Sequence, residues 1–404
     1  MSDLATPLPR RFDINPKPLA LSLLLVALGA VYLAQTVSGR QAALYVVGAL
    51  LGMSLYHAAF GFTSAWRVFI ADGRGAGLRA QMVMLGIGVL LFFPALSAGS
   101  LFGHPVAGLV SPAGTSVIVG AFMFGIGMQL GGGCASGTLY TVGGGSTRML
   151  VTLAAFIVGS VVATAHMPFW TALPSLKPTS LVTTLGAGSA IVVNLAVFAA
   201  IAALTVVIEK RRHGRLVNDA PRAVNTSPWL HGPWPLFAGA VALALLNFAT
   251  LALSGRPWGV TSAFALWGAK LFSLAGIDVA SWPYWSSHTN ATALASSVTR
   301  DVTSVMDAGI VLGAMAAAAL AGRYAPVWRV PMRSLIAAVV GGLMLGYGAR
   351  LAYGCNIGAY FSGIVSGSLH GWLWLVAAFA GNVIGTRLRP LFGLEVERIR
   401  QTGC

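Results

Sequence analysis

Two of the chain's three cysteines stand in matching settings, Gly133-Cys134-Ala135-Ser136-Gly137 and Gly354-Cys355-Asn356-Ile357-Gly358. A thiol is a weak hydrogen-bond donor and a weak acceptor. Such a group suits a soft sulfur anion, held loosely enough to be released again. The bland alternative is that a cysteine in an apolar segment is a small hydrophobe. Duplication at equivalent positions weighs against that. No metal is expected, because neither motif contains the His, Asp or Glu needed to complete a ligand shell. A disulfide between the two cysteines is an open alternative. Ser136, Thr138, Tyr140 and Asn356 offer further hydrogen bonds nearby. Gln129 and Arg350 each stand five residues before a motif cysteine. An arginine at membrane depth is a functional candidate by default. Two readings of Arg350 stay open: it balances an anion, or it snorkels to the interface and caps carbonyls near a broken helix. His57, His166, His288 and His370 fall near span ends and read as structural. Asp301 and Asp307 flank the start of one span, where a solvated helix start is favoured over a coupling-proton role. The third cysteine is Cys404, the final residue.

The elements that must position these groups are membrane helices. Apolar residues make up 56% of the 404 and charged residues 9%, with a mean hydropathy of +0.79. Soluble domains average about 25% charged. So little charge cannot cover a soluble protein of this size, which excludes a soluble enzyme, a disordered protein and a disulfide-rich secreted scaffold. The net charge of +15 would suggest nucleic acid in a soluble chain. Here it reads as the positive-inside bias of loops beside anionic lipid, and no nucleic-acid partner is expected. No phosphate-binding loop, dinucleotide fingerprint or catalytic triad pattern occurs, which argues against an ATP-driven pump; no cofactor is expected.

Apolar runs and loop charges predict ten spans. They cover about 18–34, 41–57, 81–100, 116–132, a span following Arg148, 181–208, 236–253, 302–321, 334–353 and 369–386. The 67–79 stretch, with Arg67, Arg74 and Arg79, is expected in the cytoplasm. The 258–275 piece is expected to be re-entrant, and 278–300 to be periplasmic. Both termini are expected inside. The divisions are 1–40, an N-terminal segment and extra helix; 41–208, a first half with a connecting helix; 209–232, a basic cytoplasmic linker; 233–390, a second half; and 391–404, a cytoplasmic tail.

The halves repeat. Phe60-Gly61-Phe62-Thr63-Ser64-Ala65 recurs as Trp258-Gly259-Val260-Thr261-Ser262-Ala263. Gly125-x-Gly127 ahead of Cys134 recurs as Gly346-x-Gly348 ahead of Cys355, and Gly159-Ser160 recurs as Gly381-Asn382. The span count makes the two copies point opposite ways, the plan of many secondary transporters. The expected fold is therefore an all-α polytopic membrane protein of about ten transmembrane helices in two inverted repeats, with re-entrant, glycine-broken helices at the midplane. Gly131-Gly132-Gly133 and Gly143-Gly144-Gly145 cannot remain quiet helix, since each glycine costs about 1 kcal/mol there. Broken backbone at that depth lines protein or a water-filled path. The alternative is close helix packing through Gly133/Gly137 and Gly354/Gly358.

With those motifs, residues 41 to 390 resemble the YeeE/YedE family of sulfur-transport membrane proteins. The resemblance implies a multi-pass protein of the bacterial inner membrane with an hourglass shape, passing thiosulfate inward past cysteines at the constriction. It places Cys134 and Cys355 at those positions. It also implies a small TusA-like sulfur carrier as a cytoplasmic partner. Thiosulfate-transporting members carry a third cysteine near the pore, whereas here the third is Cys404, read as an exposed thiol or a contact for the carrier. The family name also covers members linked to selenium. The expected function is uptake of a small sulfur oxyanion, thiosulfate first, along a path of Cys134, Cys355, Gly133, Gly137, Gly354, Gly358, Arg350, Gln129, Asn356 and Ser136. The rivals are a membrane thiol oxidoreductase cycling the two cysteines and a docking protein for the carrier.

Overall fold

The computed structural model describes residues 14–217 and 227–397. Cys404, the expected carrier contact, lies outside the described residues. The helices are α1 Pro16–Thr36, α2 Gly39–His57, α3 Phe62–Asp72, α4 Ala76–Ala98, α5 Thr115–Gly131, α6 Ala135–Gly143, α7 Thr147–Thr171, α8 Leu181–Leu185 and α9 Ala187–His213. They continue as α10 Pro228–His231, α11 Leu236–Ser254, α12 Thr261–Leu274, α13 His288–Ala295, α14 Val302–Leu320, α15 Met332–Leu351, α16 Ser362–Val365 and α17 Leu369–Leu388. A π-helical turn, Asn356–Phe361, leads into α16. Among the described residues strand is confined to two two-residue pairs, Ser100–Leu101 with His104–Pro105 and Ala113–Gly114 with Ser175–Leu176. Among the described residues, ten segments are long and apolar enough to cross a membrane. A helix that is apolar all round belongs in lipid or at the centre of a bundle. Here α1 and α9 present most of their apolar surface outward, while α2, α4, α5 and α14 are largely buried. The chain is a multi-pass membrane protein.

The expected spans match these helices within a few residues, with two differences. The 181–208 span is two helices, broken at Gly186, whose φ of +79° is a left-handed conformation that suits glycine. Part of the 67–79 stretch is helical, because α3 runs from Phe62 to Asp72 and is ended by Gly73 in the αL conformation.

At the centre α5, α7, α15 and α17 pack together. Lipid offers no hydrophobic drive between helices, so close backbone approach through small residues holds them. A Cβ on Gly346 of α15 would stand 2.1 Å from the Phe156 carbonyl oxygen of α7, and one on Gly159 2.4 Å from that of Leu343. In the other pair, a Cβ on Gly125 of α5 would stand 2.2 Å from the Ala378 carbonyl oxygen of α17, and one on Gly381 2.1 Å from that of Phe122. The span before each motif cysteine thus packs on the glycine-polar step of the span that follows the other cysteine. Outside this core α2 packs along α14, and α4 lies between α9 and α11. The short helices α3 and α12 lean on α17 and α7 respectively.

Candidate functional site

Both motif cysteines stand at the N-cap position of the helix that follows a break, and Cys134 caps it with its side chain. α5 ends at Gly131, and Gly132 turns the chain with φ +96°. Cys134 is then extended, and its Sγ accepts from the Gly137 N–H at 3.4 Å and lies 3.4 Å from Ser136 Oγ. Its carbonyl accepts from Thr138 N and Thr138 Oγ1, both at 2.8 Å. In the second half α15 ends at Leu351, and Tyr353 and Gly354 turn with φ +58° and +151°. Cys355 is again extended, and its carbonyl accepts from Ala359 N at 2.8 Å and Tyr360 N at 3.3 Å. The latter bond opens the π-helical turn. A Cβ on Gly354 would stand 2.7 Å from Ala359 N, so both its φ and its surroundings demand glycine.

The thiols are free and buried. The glycine three residues after each leaves room beside it. A Cβ on Gly358 would meet nothing within 4 Å, although the whole 354–365 stretch is buried. A Cβ on Gly137 would meet only Cys134 Sγ, at 3.4 Å. These two glycines therefore do not serve helix packing; Gly125, Gly159, Gly346 and Gly381 do. α6 and the 356–361 turn are in contact, so the two segments that begin at Cys134 and Cys355 meet.

Buried polar atoms are normally paired. Around these breaks several have no partner in the protein: both amide atoms of Asn356, the Tyr360 hydroxyl, Trp258 Nε1 and Thr63 Oγ1. Tyr360 stacks on Trp374, with ring centroids 6.1 Å apart, and Trp374 donates to the Gly354 carbonyl at 3.2 Å. Ser362 Oγ ties the same segment to the Trp258 carbonyl at 2.8 Å. Unspent donors on the segments that surround the two breaks can serve a polar, anionic ligand, because they cost nothing to reorganise. Two short helix starts add positive potential. Among the described residues no three His, Cys, Asp or Glu side chains gather as metal ligands.

Gln129 is fully buried and fully engaged. Its Nε2 donates to the Thr63 carbonyl at 3.2 Å and to Asn382 Oδ1 at 2.6 Å. Three arginines that the sequence did not single out for the site converge on the end of α5. Arg389 donates to the Gln129 carbonyl at 2.6 Å, and Arg148 to those of Leu130 and Gly131 at 2.6 and 2.7 Å. Arg67 reaches Gln129 Oε1 at 3.4 Å and pairs with the Glu397 carboxylate. They satisfy the orphan carbonyls and the negative end of the helix dipole. Nothing in the sequence pairs these residues, which come from α3, α7 and the segment after α17. Beside them, a cavity of about 730 Å³ opens between α3, α4 and the start of α11, with Arg79 and Glu397 on its wall.

Arg350 lies toward the opposite end. It donates to the Tyr284 hydroxyl at 2.7 Å and the Thr261 carbonyl at 2.9 Å, and its guanidinium sits 5.5 Å from the Tyr284 ring centroid. It thus clasps the 278–300 segment and the start of α12 to α15. Asp301 caps α14, its Oδ2 accepting from Ser304 N at 2.7 Å. Asp307 does not share that exposed helix start: it is completely buried. The reason is depth: Ser304, Val305, Met306 and Asp307 are all buried, so a full turn of α14 is already enclosed by the bundle there.

Comparison with known proteins places these features in context. Residues 57–384 match the family described as sulphur transport. The chain is 33% identical over 174 residues to a probable transporter YedE of Escherichia coli, a match covering 42% of this chain and 42% of that protein. It is 27% identical to a thiosulfate transporter TsuA of Spirochaeta thermophila, over 83% of this chain and 95% of that one. A TsuA of Escherichia coli is 25% identical, over 83% and 91% respectively.

Proposed function

The chain belongs to the sulphur-transport family, and from that premise we propose that it takes up a small sulfur oxyanion, thiosulfate first, across the bacterial inner membrane. The supporting observation is the pair of buried free thiols, each at the N-cap position of a helix after a break and each with open space at the glycine three residues on. In this reading the two halves are inverted repeats, and their breaks meet at the midplane. The anion enters from the Arg350 end and hydrogen-bonds the Cys355 and then the Cys134 thiol, with Ser136, Asn356 and the helix starts at Gly133–Gly137 and Gly354–Gly358 completing its shell. A thiol binds such an anion weakly enough for passage. Gln129 and the three arginines hold the exit side in place. Both termini lie in the cytoplasm, where a TusA-like carrier receives the sulfur.

Energetics constrain how uptake works. Each charge moved against the potential costs about 2.3 kcal/mol per 100 mV, so a dianion entering an inside-negative cell costs roughly twice that. Accumulation therefore needs a compensating cation. The first test is uptake of sulfur-labelled thiosulfate into proteoliposomes, with sulfate and selenite as competitors. Saturable entry that is lost in Cys134→Ala and Cys355→Ala, at normal expression, is expected. Full uptake in both variants overturns the cysteine path.

A further inference from the structure

We propose that Asp307 is a proton-binding site that couples proton entry to anion entry; the inference rests on the transport reading above. Among the described residues three acidic side chains are buried: Asp72, Glu209 and Asp307. Asp72 pairs with Arg74 and Glu209 with Arg79, each at 2.7 Å. Asp307 has no such partner, and neither of its carboxylate oxygens meets a hydrogen-bonding group of the protein. An ionised carboxylate is not sustained in such a place, so the group holds its proton there. An ionisable side chain inside a membrane bundle without a structural partner marks an ion or proton pathway.

Its position ties it to the thiols. Asp307, Val311 and Ala314 lie at i, i+4 and i+7 on one face of α14. That face meets α6: a Cβ on Gly143 would stand 2.2 Å from the Val311 carbonyl oxygen and 2.9 Å from Ala314 Cβ. Cys134 caps the start of α6, so the face of α14 that carries Asp307 lies along the helix that follows this thiol. Asp307 therefore belongs beside the proposed anion path.

Among the described residues no cation on the elements packed against α14 pairs with it: His57 at the end of α2 lies against Trp234, ring centroids 5.4 Å apart, and His231 of α10 stands 3.2 Å from the Ser227 carbonyl. Lys270 of α12 is committed to the carbonyls of Leu294 and Ser296, both at 2.7 Å. On α2 the Tyr45 hydroxyl donates to the Leu25 carbonyl at 3.1 Å. On α6 the ionisable groups are Tyr140 and the capping thiol of Cys134, neither of them a cation. Asp301 on α14 itself is a second carboxylate, engaged with Ser304. Lys17 of α1, Arg40 of α2 and Arg300 before α14 are exposed at the surface. The neutral carboxyl presents an O–H donor and no like charge to an anion nearby. Losing its proton to the inside after the anion has passed moves one positive charge inward with each dianion, and halves the charge carried against the field.

The test uses the full chain in proteoliposomes that enclose a pH-sensitive dye, with labelled thiosulfate added outside and the membrane potential clamped. In the wild type, thiosulfate entry acidifies the lumen, and an inward proton gradient raises uptake severalfold. In Asp307→Asn, acidification per thiosulfate entered is lost; in Asp307→Glu it returns, with its external-pH profile displaced. Label entering the wild type with no acidification overturns the proposal while leaving the transport reading intact. No label entering under any gradient overturns the transport reading itself, and this proposal with it. Acidification per anion that is unchanged in Asp307→Asn also overturns the proposal. If Asp307→Asn does not reach the membrane, the Asp307→Glu profile decides: one identical to the wild type overturns it.

Discussion

Arg350 donates from Nη2 to the backbone carbonyl of Thr261 at 2.9 Å. In the other half Gln129, also five residues before its cysteine, donates from Nε2 to the carbonyl of Thr63 at 3.2 Å. Thr63 and Thr261 hold the same place in the repeated Gly-x-Thr-Ser-Ala element. Unlike side chains thus make one contact, tying the helix before each break to the short helix α3 or α12. The difference lies in what else each reaches: Gln129 bonds Asn382, and Arg350 clasps Tyr284.

This pairing separates two roles of Arg350. Arg350→Gln keeps an amide donor for Thr261 and loses the charge and the Tyr284 clasp; Arg350→Ala loses everything. In detergent, Arg350→Ala is expected to be less stable than Arg350→Gln by about 1 kcal/mol, the net worth of one hydrogen bond. Both variants should raise the thiosulfate concentration needed for half-maximal uptake, because the entry side loses a positive charge. Thermal unfolding followed by tryptophan fluorescence, alongside uptake titration, checks both. Equal melting of the two variants would remove Thr261 from the account.

The thiols should act as donors, not as redox centres. Cys355→Ala and Cys134→Ala each remove a hydrogen bond to a charged group, worth about 1.5–3 kcal/mol, so uptake should fall roughly tenfold or more. Serine retains a donor of smaller size, and Cys355→Ser should recover part of that loss. A thiol oxidoreductase predicts otherwise: serine would be as inactive as alanine, and a Cys134–Cys355 disulfide would form during turnover. Uptake by the Ser and Ala variants, with thiol titration before and after turnover, distinguishes the two.

Much of this architecture is legible in the sequence, because the long apolar runs and the loop charges are separate, strong signals. The helix α3 escapes them. It has eleven residues, includes Arg67 and Asp72, and is too short and too polar to read as a span; only its likeness to the 258–263 element pointed to it. Asp307 misleads because it follows Asp301 closely, and only its depth in the bundle, where Ser304 to Asp307 are all buried, separates a capping carboxylate from an enclosed one. The arginine cluster on α5 has no local signature, since Arg67, Arg148 and Arg389 come together only when three distant elements pack. The cysteine motifs themselves are visible, but which of their glycines pack helices and which leave space is a property of the fold.

The contact between Arg67 and Glu397 should respond to acid. Burial alone raises the Glu397 carboxyl pKa, but the Arg67 guanidinium outweighs that, and Arg389 adds to it, holding the carboxyl below the ordinary carboxylate range. A pKa lowered in the folded state means the contact is fully present above the ordinary value of about 4.3 and is lost as pH falls through the folded value. Spin labels at positions 394 and 216 should therefore give a narrow distance distribution from pH 7 to pH 5 that broadens in stronger acid. Glu397→Gln should be broad throughout. A wild-type distribution that stays narrow at pH 3 would show that the carboxylate does not hold the tail.

Gly354 and Gly358 have opposite needs, and alanine at each should fail in a different way. Gly354 adopts φ +151°, and a Cβ there would stand 2.7 Å from Ala359 N. Gly354→Ala should destabilise the protein by about 1–3 kcal/mol and reduce the amount inserted, since the turn into Cys355 is strained for any other residue. Gly358 meets nothing within 4 Å at the Cβ position, and it already lies in a helical turn that alanine favours. Gly358→Ala should therefore insert and melt like the wild type. The added methyl nonetheless fills open space one turn on from Cys355, so uptake should fall while stability does not. Gly137→Ala is a milder version, because its methyl would touch Cys134 Sγ at 3.4 Å, an ordinary contact. Uptake normalised to inserted protein, measured with thermal stability for all three variants, separates structural glycines from those that keep the path open. Normal uptake in Gly358→Ala would mean that the anion does not pass that face of the turn.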